Sequence, residues 1–415
     1  MKVGIVGLGY VGLPLALAFA EEGHEVIGLD SDTRKVDALR AGESYIEDVP
    51  SQALASVAER LAATTHYEDL AACDAVIICV PTPLTQSREP DLSHLVDAAT
   101  SLSGVLRRGQ LISLESTTYP GTTRDRLRPI LEESGLAAGR DFNLVFSPER
   151  IDPGRTDYTV RTTPKVVGGL TEECTERGAQ VYGEICDQVI RVSGPEEAEL
   201  SKLLENIFRS VNIALVNELA ILCERLEIDI WEVIDAASTK PFGFMRFEPG
   251  PGMGGHCLPV DPFYLSFKAR EHDFYTEFIE LAGKTNQSQP LWCVQRIERA
   301  LNSVGKPVKG SRILLLGVSY KAGVGDIRES PALKIIRLTS ELGGEISYHD
   351  PHVPELAEQQ LRSGDLAEEL GGCDIACIVT AHPELDYERV VAEAPLVLDF
   401  RGVTRGIEAK NLVRL

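Results

Sequence analysis

The first thirty residues constrain the fold more than any other stretch. Lys2 to Val6 (KVGIV) is a short β-branched apolar run, and GLGYVG follows it at once. Gly7, Gly9 and Gly12 make GxGxxG, Leu13 to Glu22 continues at helical period, and Glu25 to Leu29 (EVIGL) closes on Asp30. Strand, glycine turn, helix, strand and acid, in that order, make the complete unit of a dinucleotide-binding fold. The glycines permit a tight turn and let a pyrophosphate approach the helix N-terminus. Asp30 would accept hydrogen bonds from the adenine ribose hydroxyls. Its charge disfavours a 2′-phosphate there, so NAD rather than NADP is expected.

Strand and helix go on alternating to about residue 195. Asp74 to Val80 reads as a buried parallel strand and ends in Pro81-Thr82-Pro83. Gln110 to Leu114 runs into a hydroxyl-rich turn, Glu115 to Thr122, fit either to hold a nicotinamide or a catalytic water or to cap the next helix. Asn143 to Phe146 leads into Ser147-Pro148-Glu149-Arg150. A second alternating set begins late: Ser311 to Leu316, residues 345 to 349, Asp374 to Val379 and Leu396 to Asp399. It lacks GxGxxG, but Lys321 and Arg328 follow its first strand, where two cations suit an anionic ligand or an ordinary surface turn.

Between these sets the character changes. No Gly or Pro occurs from Glu196 to Lys240, and Leu200, Leu203, Leu204, Ile207, Phe208, Val211 and Leu215 recur at helical spacing. Lys202 and Asn206 lie four apart on another face, a fixed cation beside a fixed donor, as a developing oxyanion requires; a solvated face would read the same. Pro249 to Pro262 (PGPGMGGHCLPVDP) is too rich in Gly and Pro for regular structure and is expected to be a loop. Cys257 and Asp261 make it a candidate nucleophilic site, or a turn with an incidental thiol.

The expected architecture is α/β: two Rossmann-like doubly wound parallel-sheet domains joined by a central helical domain with a long helix. At 415 residues the chain divides as 1–195 for NAD, 196–300 for the helical and dimerisation domain with its catalytic loop, and 301–415 for a second, anionic ligand. A net charge of −22 repels a phosphate backbone and argues against nucleic acid as partner. Nine scattered cysteines, without CxxC or zinc spacing, point to a reduced, cytoplasmic chain with no metal site. Strand signal from residue 2 leaves no room for a signal peptide, and no apolar run approaches the length of a membrane span.

In GLGYVGLPLA, VPTP, ESTTYPGTT, SPER, Lys202-x3-Asn206, GxGGHCxPxD and SYK…DxRESP the chain resembles, over its full length, the UDP-glucose/GDP-mannose dehydrogenase family. The resemblance implies an NAD-dependent, four-electron oxidation of the C6 alcohol of a UDP-sugar to the acid, with 301–415 as the UDP-sugar-binding domain. It gives Cys257 as the nucleophile passing through a thiohemiacetal and a thioester. Lys202 and Asn206 match the oxyanion stabilisers, Asp261 the aspartate assisting proton transfer, and Thr117 and Glu149 the groups positioning the hydrolytic water. The cofactor set expected is Gly7, Gly9, Tyr10, Val11, Gly12, Asp30, Arg34, Pro81, Thr82, Thr117 and Arg328. The substrate set is Glu149, Arg150, Lys202, Asn206, Phe247, Gly250, Gly254 and Lys321. A homodimer or higher homo-oligomer is expected.

The departures bear on substrate. Val260 and Pro153 stand where many UDP-glucose enzymes carry a lysine and a second glutamate, so hydrolysis leans on Glu149 and Asp152. Pro241 stands where they carry an arginine, with Lys240 and Arg246 as substitutes. TKPFGF, SPERIDPG and HCLPVDPFYL look closer to the UDP-N-acetylglucosamine 6-dehydrogenase branch, with UDP-glucose the second substrate. A β-hydroxyacid dehydrogenase, with one hydride transfer and no need of Cys257, and an NAD-sensing protein are the rival readings.

Overall fold

The computed structural model describes residues 1–46, 49–85, 89–151, 158–255 and 257–415, and for residues 257–260 the backbone alone. Two compact units result: Met1–Glu205 with Phe263–Tyr275, and Asn206–Pro262 with Thr276–Leu415.

The first unit is built on eight strands: β1 (Lys2–Val6), β2 (Glu25–Leu29), β3 (Leu61–Thr64), β4 (Ala75–Ile78), β5 (Leu111–Leu114), β6 (Asn143–Phe146), β7 (Lys165–Gly169) and β8 (Val189–Val192). They lie in the order β3-β2-β1-β4-β5-β6-β7-β8. Successive side chains of β4 go to opposite cores, Ala75 and Ile77 to one and Val76 and Ile78 to the other. That two-sided burial is why such strands read as unbroken apolar runs, and each buried Ile or Val contributes about 1.5–3 kcal/mol. One pairing departs from the parallel expectation: β6 and β7 are antiparallel, with Val145 opposite Gly169 and Phe146 opposite Gly168. Among the described residues no helix separates these two strands, so the chain is not carried back for a parallel crossover.

The second unit holds β9 (Arg312–Leu316), β10 (Glu345–His349), a short antiparallel pair β11 (Glu355–Leu356) and β12 (Leu361–Arg362), then β13 (Ile375–Ile378), β14 (Val397–Asp399) and β15 (Leu412–Arg414). The five-stranded sheet is parallel throughout, in the order β10-β9-β13-β14-β15. Strand order reverses between β9 and β13, the switch point at which such sheets receive ligands. The helices Glu277–Ser303 and Pro331–Glu341 pack on one face, where Trp292, Ile297, Leu301, Ile335 and Ile336 join Ile313, Leu315 and Phe400 in one core.

Two expectations are corrected. The segment 249–262 is not all loop: a helix begins at Cys257 and runs to Arg270, through Pro262. The first four N–H groups of a helix have no intrahelical partner, so Pro259 costs nothing there, and Pro262 removes a single bond. The helix Pro195–Leu226 is, by length and composition, apolar enough to cross a membrane, with an 18-residue window of mean hydropathy 1.3 that is 39% buried. The core helix of a soluble protein passes the same test.

Candidate active site

In the first unit the glycine turn is shaped by contacts a Cβ would violate. A Cβ on Gly12 would sit 1.9 Å from the Gly7 carbonyl oxygen, and one on Gly7, at φ +94°, 2.8 Å from that of Cys79. Gly9 instead faces open space, with nothing within 4 Å. The turn therefore presents bare backbone at the start of the helix Gly12–Glu21, a fit for a dinucleotide pyrophosphate. Asp30 is buried and already bonded, accepting from Leu8 N, Asp32 N and Lys35 Nζ at 2.9 Å each. Lys35, which the sequence reading passed over, thus offsets part of the charge invoked against a 2′-phosphate. Arg34 is exposed and paired with Asp32, Tyr10 is half-exposed, and Val11 precedes the first helical turn.

The loops after β4 and β5 are tied together. Thr82 Oγ1 donates to the Thr117 carbonyl at 2.7 Å, Ser116 Oγ to that of Val80 at 2.7 Å, and Tyr264 Oη to that of Thr82 at 2.5 Å. Pro81 is exposed between them. Glu149 follows β6, its Oε1 accepting from Arg150 N at 2.7 Å and Ile151 N at 2.6 Å. Its Oε2 lies 3.2 Å from Lys165 Nζ. Burial opposes the Glu149 charge, but Lys165, the Ile151 N–H and Lys202 together outweigh it and hold the carboxyl below its ordinary range. Arg150 is committed to the Pro164 carbonyl (2.7 Å) and to Glu205 (2.8 Å). Asp152 and Pro153 lie outside the described residues.

In the second unit Asn206 and Asp261 are buried, and Asn206 Nδ2 donates to Asp261 Oδ2. Cys257 opens the helix on which Asp261 sits one turn later; its side chain lies outside the described residues. The preceding glycines are packed tightly. Gly250 N donates to Asn217 Oδ1 at 3.0 Å, and Gly255 N to the Arg328 carbonyl at 3.0 Å. A Cβ on Gly254 would fall 2.7 Å from that of Tyr320, so the glycine loop lies on the residue before Lys321. Phe247 meets Phe208 edge-on, with centroids 5.8 Å apart. Arg328 is bound to Asp326 at 2.6 Å, which limits it as a free cation. Arg246, a suggested substitute for the missing arginine, is held by Asp235 (2.7 Å) and Glu248 (3.0 Å), while Lys240 lies 5.0 Å over the Phe242 ring.

Sequence reasoning missed Arg401. It follows β14, and a Cβ on Gly250 would sit 2.3 Å from its guanidinium. Burial works against its charge, opposed by Glu248 and Asp399, and it has no ion pair among the described residues. A cation immediately beyond a strand ending in Asp399 was the available signal. The Lys321 loop is fixed from below by Asp350, whose Oδ2 accepts from Val318 N at 2.7 Å, Ser319 N at 3.0 Å and the buried His382 Nε2 at 3.0 Å.

Comparison with known proteins covers nearly the whole chain. Residues 1–186 match the NAD binding domain of the UDP-glucose/GDP-mannose dehydrogenase family, 196–288 its central domain and 314–406 its UDP binding domain. A UDP-N-acetyl-D-glucosamine 6-dehydrogenase of Pseudomonas aeruginosa is 38% identical over 355 residues, covering 85% of this chain and 83% of its own. A UDP-N-acetyl-D-mannosamine dehydrogenase of Pyrococcus horikoshii is 34% identical, covering 98% of this chain and 100% of its own. A solved UDP-D-ManNAc dehydrogenase structure from Pyrococcus horikoshii superposes with a TM-score of 0.92 at 31% identity, over 100% of this chain and 99% of that one.

Proposed function

This chain belongs to the UDP-glucose/GDP-mannose dehydrogenase family, a family of NAD-dependent oxidoreductases, and within it we propose that it is a UDP-N-acetylglucosamine 6-dehydrogenase working through a thioester on Cys257. The observation that carries this reading is the buried Asn206–Asp261 hydrogen bond, which joins an oxyanion donor to the helix that Cys257 opens. The first position of a helix favours a thiolate, and Lys202 brings positive charge to the same chemistry.

Bound NAD supplies the hydride acceptor for both oxidations, and Gly7, Gly9 and Gly12 would hold its pyrophosphate. Cys257 captures the aldehyde as a thiohemiacetal, whose oxidation leaves a thioester. Lys202 and Asn206 stabilise the oxyanions, and Asp261 exchanges protons at the sugar oxygen. Thr117 and Glu149 hold the water that releases the acid. Lys321 and Arg401 suit the charge of a nucleoside diphosphate. The reading keeps the divisions 1–195, 196–300 and 301–415. It also makes the enzyme a homodimer through the helix Pro195–Leu226, on which Leu200, Leu204, Phe208, Leu215, Leu219, Leu222 and Leu226 are all exposed.

Cys257→Ser tests the mechanism. It should bind NAD normally yet form no acid and no acyl-enzyme by mass spectrometry; full acid production would refute the role. NADH formation over a panel of UDP-N-acetylglucosamine, UDP-N-acetylmannosamine and UDP-glucose tests the substrate. Two NADH per UDP-N-acetylglucosamine, with the highest kcat/KM in the panel, is the expected result, and preference for another sugar reassigns it.

A further inference from the structure

The antiparallel course of β7 has a chemical result. Its first residue, Lys165, comes to the carboxyl ends of β5 and β6 rather than to the opposite edge of the sheet. There Lys165 Nζ lies 3.0 Å from Glu115 Oε2 and 3.2 Å from Glu149 Oε2, and 5.3 Å over the Tyr182 ring. The Lys165 and Glu115 side chains are 6% and 0% exposed, while Glu149 keeps 15%. One ammonium between two carboxylates leaves a buried excess of negative charge, and the donors decide which carboxylate holds it. Glu149 has two backbone N–H groups on one oxygen and Lys165 on the other. Among the described residues Glu115 has no backbone donor: its Oε1 lies within close hydrogen-bond reach of none of them, and only the Tyr182 hydroxyl nearby favours its charge besides Lys165.

The electrostatics follow that division. Burial raises Glu115, Lys165 opposes the rise, and repulsion from Glu149 adds to it. Glu149 stays low for the reasons given above. The other titratable groups facing the triad are Tyr182, Cys79 and Cys186, all pushed up by burial and therefore neutral, and the cationic Lys202. Such a clamp exceeds what a structural ion pair needs, because it fixes both oxygens of the one acid that is partly open to solvent.

We propose that Lys165, itself seated by Glu115, is the positioning residue for the hydrolytic half of the reaction, holding Glu149 ionised and aimed at the water that attacks the thioester. This rests on the assignment of Glu149 to hydrolysis. In that step the water oxygen bonds to the acyl carbon and the carbon–sulfur bond breaks, its electron pair staying on Cys257. Glu149 takes a water proton and returns it to the thiolate, so thioester and water give acid and thiol with no change in oxidation state.

Lys165→Met tests this by rapid quench, with acyl-enzyme followed by mass spectrometry and NADH by absorbance. Formation of the acyl-enzyme should persist with KM for UDP-N-acetylglucosamine within about threefold of wild type. Hydrolysis should fall at least about tenfold at pH 7, and its acid limb should move up by about one pH unit or more. Lys165→Arg should restore the wild-type limb. The double variant Lys165→Met/Glu115→Gln keeps one negative charge without the cation, and should show the same raised limb; it decides the matter if the single variant does not fold. A limb that stays in place in either folded variant overturns the inference. Glu149→Gln separates the two levels: wild-type hydrolysis there sinks the underlying assignment, whereas blocked hydrolysis with an unmoved Lys165→Met limb sinks only the role of Lys165.

Discussion

Gly9 and Gly12 belong to one motif yet should fail in different ways when each becomes alanine. Neither needs a left-handed backbone, so the added methyl group is the whole perturbation. In Gly12→Ala that methyl would lie 1.9 Å from the Gly7 carbonyl oxygen, short of an ordinary 3.4 Å contact by about 1.5 Å. Gly7 cannot give way: it is pressed against the Cys79 carbonyl, and its N–H is bonded to Leu29 O at 2.7 Å. The helix must shift instead, at about 1–3 kcal/mol. In Gly9→Ala the methyl meets no protein atom, so folding should be untouched, but it occupies the space a pyrophosphate needs. A ten- to hundredfold rise in the Kd for NAD is expected, about 1.4–2.7 kcal/mol. Calorimetric titration with NAD and urea unfolding, run on both variants, check the contrast. If Gly9→Ala binds NAD within twofold of wild type, or loses as much stability as Gly12→Ala, the cradle has been misread.

Asn206→Ala removes a buried amide and leaves Asp261 with one donor fewer. A fall in kcat of about 10²–10³ is expected, with NAD affinity within threefold of wild type, measured by steady-state NADH formation and NAD titration; an unchanged kcat contradicts the oxyanion role. Glu199 is buried and pushed up to about 7 by that burial, against three donors from Gly121 and Thr123. Its ordinary value is 4.5, so between about pH 4.5 and 7 the folded chain holds a proton that the unfolded chain releases. Its contribution to stability is therefore present at low pH and lost as pH rises through 7. Glu199→Gln should flatten the pH dependence of the urea midpoint over that window, and an unaltered slope would show that the donors, not burial, dominate.

What the sequence disclosed divides by whether a feature is local. Lys2–Val6, Glu25–Leu29 and Asn143–Phe146 fall where the apolar runs put them, because a parallel strand buried on both faces is apolar throughout and turn residues mark its ends. The glycine turn was legible for the same reason, since contiguous backbone makes its chemistry. The helix at Cys257 was hidden by its prolines, of which Pro259 costs nothing in a first turn and Pro262 only a single bond. Lys165 and Arg401 were hidden differently: each meets residues far away in sequence, and only the fold brings them together.

For Lys165 that dependence is strict. A shift of β7 by one residue against β6 would turn its ammonium to the other face of the sheet and leave Glu115 and Glu149 buried without a cation. Two glycines opposite β6 guard the register. A Cβ on Gly168 would stand 2.0 Å from the Gly194 carbonyl oxygen, and one on Gly169 2.5 Å from Thr175 N. Any slip that placed a larger residue at either position would meet backbone rather than a side chain able to move. The strand's close seating on its neighbours therefore fixes where the ammonium arrives. KVVGG encodes that placement through the bulk its last two residues lack, which no search for reactive side chains would notice.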